Sequence, residues 1–82
     1  MKLSEFILLN EEQKKVTVLH EGVFIAKRNS YSHLVFLFQM DNYYVESYCN
    51  IENKSIEEYR VFRDMAALHP YLESISLSDL LN

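Results

Sequence analysis

Residues 34–49 read Leu-Val-Phe-Leu-Phe-Gln-Met, then Asp-Asn, then Tyr-Tyr-Val-Glu-Ser-Tyr-Cys: two aromatic, β-prone runs on either side of a turn-forming pair. This pattern dictates a β-hairpin closed at Asp41-Asn42. Its first strand is apolar on both faces, because Leu34, Phe36, Phe38 and Met40 alternate with His33, Val35, Leu37 and Gln39. A strand of that kind needs covering on two sides, by further layers of the chain or by a partner.

What can supply those layers is limited by length. A chain of 82 residues with 49% hydrophobic and 24% charged residues makes one folded domain, with little room for a deep enclosed active site. Glycine and proline occur once each, so almost every residue belongs to regular structure or a short turn. Cys49 is the one cysteine, which excludes an intrachain disulfide and a four-cysteine zinc site and fits a reducing compartment. The apolar stretch Phe6–Leu9 is too short for a secretory core, and no run approaches a membrane span, so a cytoplasmic location is expected, with no membrane partner. Twelve acids against eight bases give a net charge of −4, which opposes phosphate-backbone binding and predicts no nucleic-acid partner.

Along the chain, Asn10-Glu11-Glu12-Gln13 has the chemistry of a helix start, with Asn10 and Gln13 exchanging cap bonds and Gly22 as the residue after the helix. Within residues 11–21 a helical stripe of Val16, Leu19 and Val23 competes with the β-branched run Val16-Thr17-Val18; helix is the preferred reading. Ser4–Leu9 reads as a preceding helical turn with Phe6, Leu9 and Ile7 directed inward. Four strands follow, at 23–28, 32–39, 43–50 and 55–62, separated by Asn29-Ser30, Asp41-Asn42 and Glu52-Asn53-Lys54. Connections this short allow only antiparallel neighbours, so the fold class is α+β: an N-terminal helix, a four-stranded antiparallel meander, and a C-terminal helix or helical turns. Asp64 caps the last helix through Met65–Leu68, which continues to Tyr71 and Leu72 if Pro70 is tolerated, and Ser76 or Ser78 opens a final turn at Asp79-Leu80-Leu81.

On the third strand Tyr43, Val45, Ser47 and Cys49 form the side expected to face the core, while Tyr44, Glu46, Tyr48 and Asn50 form an amphipathic side. On the fourth, Tyr59 and Val61 are more apolar than Glu58 and Arg60, although Ile56 and Phe62 accompany the charged pair. The helices have residues enough to cover one sheet face but not both. If Glu46 and Arg60 share the uncovered face they can pair across neighbouring strands. Tyr44, Glu46, Tyr48 and Arg60 are therefore the candidate partner-binding residues, set against the simpler reading that the tyrosine rings merely shield the sheet.

Catalytic and metal patterns are weak. His20, His33 and His69 have no ligand-spaced companions, and a buried Cys49 would be an inert thiol. Asp41 belongs to a turn, Tyr48 stands where a nuclease pattern needs a lysine, and Glu57 and Glu58 should point to opposite faces. Leu77-Ser78-Asp79-Leu80-Leu81 matches a groove-docking helix, but packing onto its own domain explains it better. No catalytic residue, metal ligand or cofactor is assigned.

The segments Gly22-Val23-Phe24-Ile25-Ala26-x-Arg28, Asp41-x-Tyr43-Tyr44-Val45-Glu46-x-Tyr48 and Pro70-Tyr71-Leu72-Glu73-x-Ile75 together resemble a group of short uncharacterised bacterial proteins of about this length. The resemblance spans nearly the whole chain and implies a stand-alone bacterial cytoplasmic protein, with no activity to transfer. The expected function is a non-enzymatic interaction module that binds a protein partner or its own copy through an aromatic sheet face. The alternative is a small-ligand or enzymatic site between sheet and C-terminal helix, using Tyr71, His69 and Glu73.

Overall fold

A computed structural model of the chain describes residues 1–72. The elements run α1 (Leu3–Phe6), α2 (Glu11–Glu21), β1 (Val23–Ser30), β2 (His33–Gln39), β3 (Tyr44–Asn50), β4 (Ile56–Phe62), a 3-10 turn (Met65–Leu68) and α3 (His69–Leu72). The strands form one antiparallel sheet in the order β1-β2-β3-β4, so the α+β meander read from the sequence is the fold. The expected turn at Asp79-Leu80-Leu81 and the Leu77–Leu81 pattern lie outside the described residues.

Residues 11–21 are helical because the cap chemistry outweighs the β-branched run. Gln13 N–H donates to Asn10 Oδ1 at 2.8 Å, and Asn10 N–H donates to Gln13 Oε1 at 3.1 Å. Gly22 ends the helix for a different reason from the one expected. Its backbone is extended (φ −81°, ψ 147°), not left-handed, so conformational freedom is not what requires glycine. A Cβ at this position would lie 2.6 Å from the Val18 carbonyl oxygen of the helix's own last turn, which leaves no room for a side chain, and 3.3 Å from Met40 Sδ on the sheet side.

The turn between β1 and β2 is at Tyr31-Ser32, not Asn29-Ser30, since Ser30 still pairs with His33. Tyr31 pays for the shift with a positive φ of 53°. Met40 N–H donates to the Tyr43 carbonyl at 2.9 Å and closes the second hairpin around Asp41-Asn42. Two bulges then decide which residues share a face. Phe24 is opposite Phe38 while Ala26 is opposite Leu37, so Ile25 is the extra residue in β1; Glu57 is the extra residue in β4.

The Glu57 bulge overturns two expectations. Ile56 does not accompany Glu58 and Arg60 but joins Tyr59 on the other side, opposite Cys49. Glu57 and Glu58 share a side: Glu57 bonds to His33 and Asn50, and Glu58 pairs with Arg60 opposite Tyr48.

Each face of the sheet carries a core, contrary to the expectation of one covered face. Under α1 and α2, Phe6, Val18, Met40, Tyr43 and Val45 are buried together; this is the α2 face. On the opposite α3 face, Ala26, Val35, Leu37, Tyr48 and Tyr71 are buried together. Of the three α1-region residues expected to point inward, Phe6 is fully buried and Leu9 half-buried, whereas Ile7 is 53% exposed. At the other end Asp64 caps as expected, accepting from Ala66 N–H at 2.9 Å. The segment it caps is a 3-10 turn. Pro70 then sits in the first turn of the new helix α3, where its missing N–H leaves no intrahelical bond unmade.

Candidate functional site

On the α3 face the register sets Arg28, Val35, Tyr48 and Glu58 in one row across the four strands, and Ala26, Leu37, Glu46 and Arg60 in the next. Glu46 is therefore a carboxylate at the centre of the sheet, 7% exposed, and a buried charge there must find donors. Arg60 is its direct neighbour but is not its partner. Glu46 Oε2 accepts from Arg28 Nη2 at 3.3 Å, reaching across β2, and from the Tyr71 hydroxyl at 2.5 Å. Arg28 Nη2 also donates to the Tyr48 hydroxyl at 3.1 Å, and the guanidinium stands over the Tyr71 ring at 5.3 Å. Its Nε is buried without a hydrogen-bond partner among the described residues, so the strand geometry supplies two bonds but not a full fork.

The anticipated Glu46–Arg60 pair is thus replaced by Glu46–Arg28. Arg60 instead bonds Glu58 Oε1 at 3.2 Å and lies 4.6 Å over the Tyr48 ring, with more than half of its side chain in solvent. Tyr44 stacks on Phe62 with ring centres 5.4 Å apart, and its hydroxyl meets Met65 Sδ. Of the four residues singled out, Glu46 and Tyr48 are buried, Tyr44 is half-buried and Arg60 is exposed. Tyr71 covers Glu46, and Arg60 lies over the Tyr48 ring, so neither Glu46 nor Tyr48 is presented at the surface.

Burial, followed by the bond to Glu46, raises the Tyr71 phenol well above its ordinary value of 10.0, so it stays protonated and donates through the whole physiological range. Beyond this cluster His33 Nε2 lies 2.6 Å from Glu57 Oε1, and that bond, with a second from Asn50, holds the Glu57 carboxyl below its ordinary value. Arg28, and Tyr71 as a partner of Glu46, escaped the sequence reading. The signal for Arg28 was Glu46 itself: an acid between Val45 and Ser47 in a central strand requires a cation from a nearby strand, and Arg28 and Arg60 were the two available.

The ligand-site alternative placed Tyr71, His69 and Glu73 around a cleft. Tyr71 is 1% exposed and fills the space over Glu46, His69 is exposed, and Glu73 lies outside the described residues. Among the described residues no three His, Cys, Asp or Glu side chains are grouped to hold a metal ion, and no helix is long and apolar enough to cross a membrane.

The α2 face differs in kind. α2 crosses it from Ile56 and Tyr59 to Phe38 and Met40, and the sheet to one side of the helix is left open. There Phe24 is 53% exposed, with its ring centre 6.2 Å from Phe36 and 5.8 Å from Phe38, while Leu19 on α2 is 68% exposed. Between helix and strands lies an open cleft of about 270 Å³, lined by Leu19, Phe36, Phe38, Ile56 and Tyr59 with Lys15 at its rim. Cys49 borders the same region and is half-buried, not sealed in the core as its strand position suggested. The contiguous exposed apolar surface is therefore on the face opposite the one expected to bind.

Comparison with family models, with curated proteins and with solved structures finds no match to this chain.

Proposed function

We propose that this chain is a non-enzymatic protein-interaction module whose binding surface is the open half of the α2 face, centred on Phe24, Phe36, Phe38 and Leu19. One observation carries the reading: the 53% exposed Phe24 ring packs against Phe36 and Phe38, and those two line an apolar cleft beside the exposed Leu19. Contiguous apolar surface on a small protein marks a docking site, and aromatic side chains bind at low entropic cost because they have few rotatable bonds. The groups suited to proton transfer, Glu46, Tyr48 and Tyr71, bond to one another or to Arg28 and hold the α3 face shut. A structural role for that cluster supports binding over catalysis. The free thiol Cys49 is in keeping with a cytoplasmic location.

Photo-crosslinking in the native cells tests this. With p-benzoylphenylalanine in place of Phe24, the chain should form a discrete covalent adduct with a protein, and the same probe at Asn53 should not. Absence of any adduct at Phe24, or equal labelling from both positions, contradicts the reading.

A further inference from the structure

The open α2 face and the α2 helix above it are unfinished in the same way. At about 100° per residue the three large apolar side chains of α2, Val16, Val18 and Leu19, spread over an arc of about 160°. One sheet cannot bury such an arc. Val18 is 3% exposed against the chain's own strands, whereas Val16 and Leu19 remain 48% and 68% exposed. Val16 and Leu19 therefore lie outside the contact that α2 makes with its own sheet.

We infer that the partner of this face is a second copy of the chain, packed face to face about a two-fold axis so that the two α2 helices lie side by side between two sheets. This inference rests on the binding surface proposed above and names its occupant. In this arrangement α2 meets its own sheet through Val18 and the second copy through Val16 and Leu19. Each helix fills the half of the other sheet that its own helix leaves bare.

Two observations favour a second copy over another protein. Glu12, Lys15, Val16 and Leu19 follow the spacing of one exposed helical stripe, and this stripe is self-complementary when two helices run antiparallel: Glu12 of each approaches Lys15 of the other. The area also fits. Phe24 and Leu19 each leave roughly 100 Å² in water, and the half-buried Phe36, Phe38, Ile56 and Tyr59 together leave about as much again, or roughly 400 Å² per copy. That approaches the apolar share of a standard interface of about 800 Å² per partner. Closed two-fold symmetry needs only this one surface patch.

Sedimentation velocity of the full chain across a wide concentration range provides the test, read beside the rate at which an aromatic disulfide reagent modifies Cys49. The expected result is a monomer–dimer equilibrium, with Cys49 reacting more slowly as dimer forms. Leu19→Lys should shift the midpoint to at least tenfold higher concentration while leaving the far-ultraviolet circular dichroism unchanged. Lys15→Glu should weaken the dimer, and Glu12→Lys with Lys15→Glu should restore it, which distinguishes interface charge from misfolding. A monomer at every concentration overturns the inference. So does a dimer indifferent to Leu19→Lys and to the charge exchange. If the photo-adduct at Phe24 is with a different protein and the chain itself stays monomeric, the self-association fails while the binding surface stands.

Discussion

The two faces of this sheet both bury aromatic side chains, but by opposite means. On the α3 face a charged and hydroxylic cluster, Arg28, Glu46, Tyr48 and Tyr71, closes over the middle strands, and apart from Arg28 Nε its polar groups bond to one another. On the α2 face the contacts are almost wholly apolar, and half of that face stays open. The difference shows that conspicuous chemistry is a poor guide to where a small domain meets others. Buried charge must be answered inside the fold, so it draws cover to itself, while plain hydrocarbon can wait at the surface for a partner.

The sharpest way to break this contrast is to remove one member of the buried pair. Arg28→Ala leaves the Glu46 carboxylate without its cation and should cost about 3–5 kcal/mol in urea unfolding. Arg60→Ala, at the solvent-exposed neighbour that looks equally paired in sequence, should cost no more than about 1 kcal/mol. Equal losses would mean that the cluster does not hold the α3 face.

Tyr71→Phe removes a hydrogen bond to a charged acceptor and should cost about 1.5–3 kcal/mol while leaving the Arg28–Glu46 contact in place. The same residue gives the fold a pH signature. Tyr71 has a raised pKa when folded, so its contribution is complete below its unfolded value of 10.0 and is lost as pH climbs past that value. Tyr43 and Tyr59 are raised too, chiefly by burial. Stability should therefore fall above pH 10, and Tyr71→Phe should flatten the alkaline limb more than Tyr59→Phe does.

The smallest effect is expected at the open face. Leu19→Lys, measured in dilute monomer, should change stability by no more than about 0.5 kcal/mol, because the side chain is already mostly in water. A large loss there would show that Leu19 belongs to the monomer's own core.

Much of the architecture was legible in the residues. The Asn10–Gln13 cap, the Asp41-Asn42 turn, the strand order and the Asp64 cap all follow from local chemistry, and each operates within a few positions of the chain. What escaped depends on register. Alternation assigned Ile56 to the charged side of β4 because a single inserted residue, Glu57, reverses the phase of everything before it without leaving a composition signal. The Glu46–Arg60 pairing followed from strand adjacency, yet the buried acid found Arg28 two strands away and Tyr71 from the far end of the described chain. Neither α3 nor its tyrosine was recognisable as a cover for that face, since a four-residue helix carries no periodicity to read. Choosing the binding face required knowing which face was already closed.

A soluble paramagnetic probe in NMR compares the two faces in one experiment and tests the account most directly. At low concentration the side-chain signals of Leu19 and Phe24 should broaden strongly while those of Leu37 and Tyr48 stay sharp. As concentration rises, Leu19 and Phe24 should become protected. Persistent broadening of Leu19 and Phe24 at every concentration, together with broadening of Tyr48, would contradict both the closed α3 face and the self-associating α2 face.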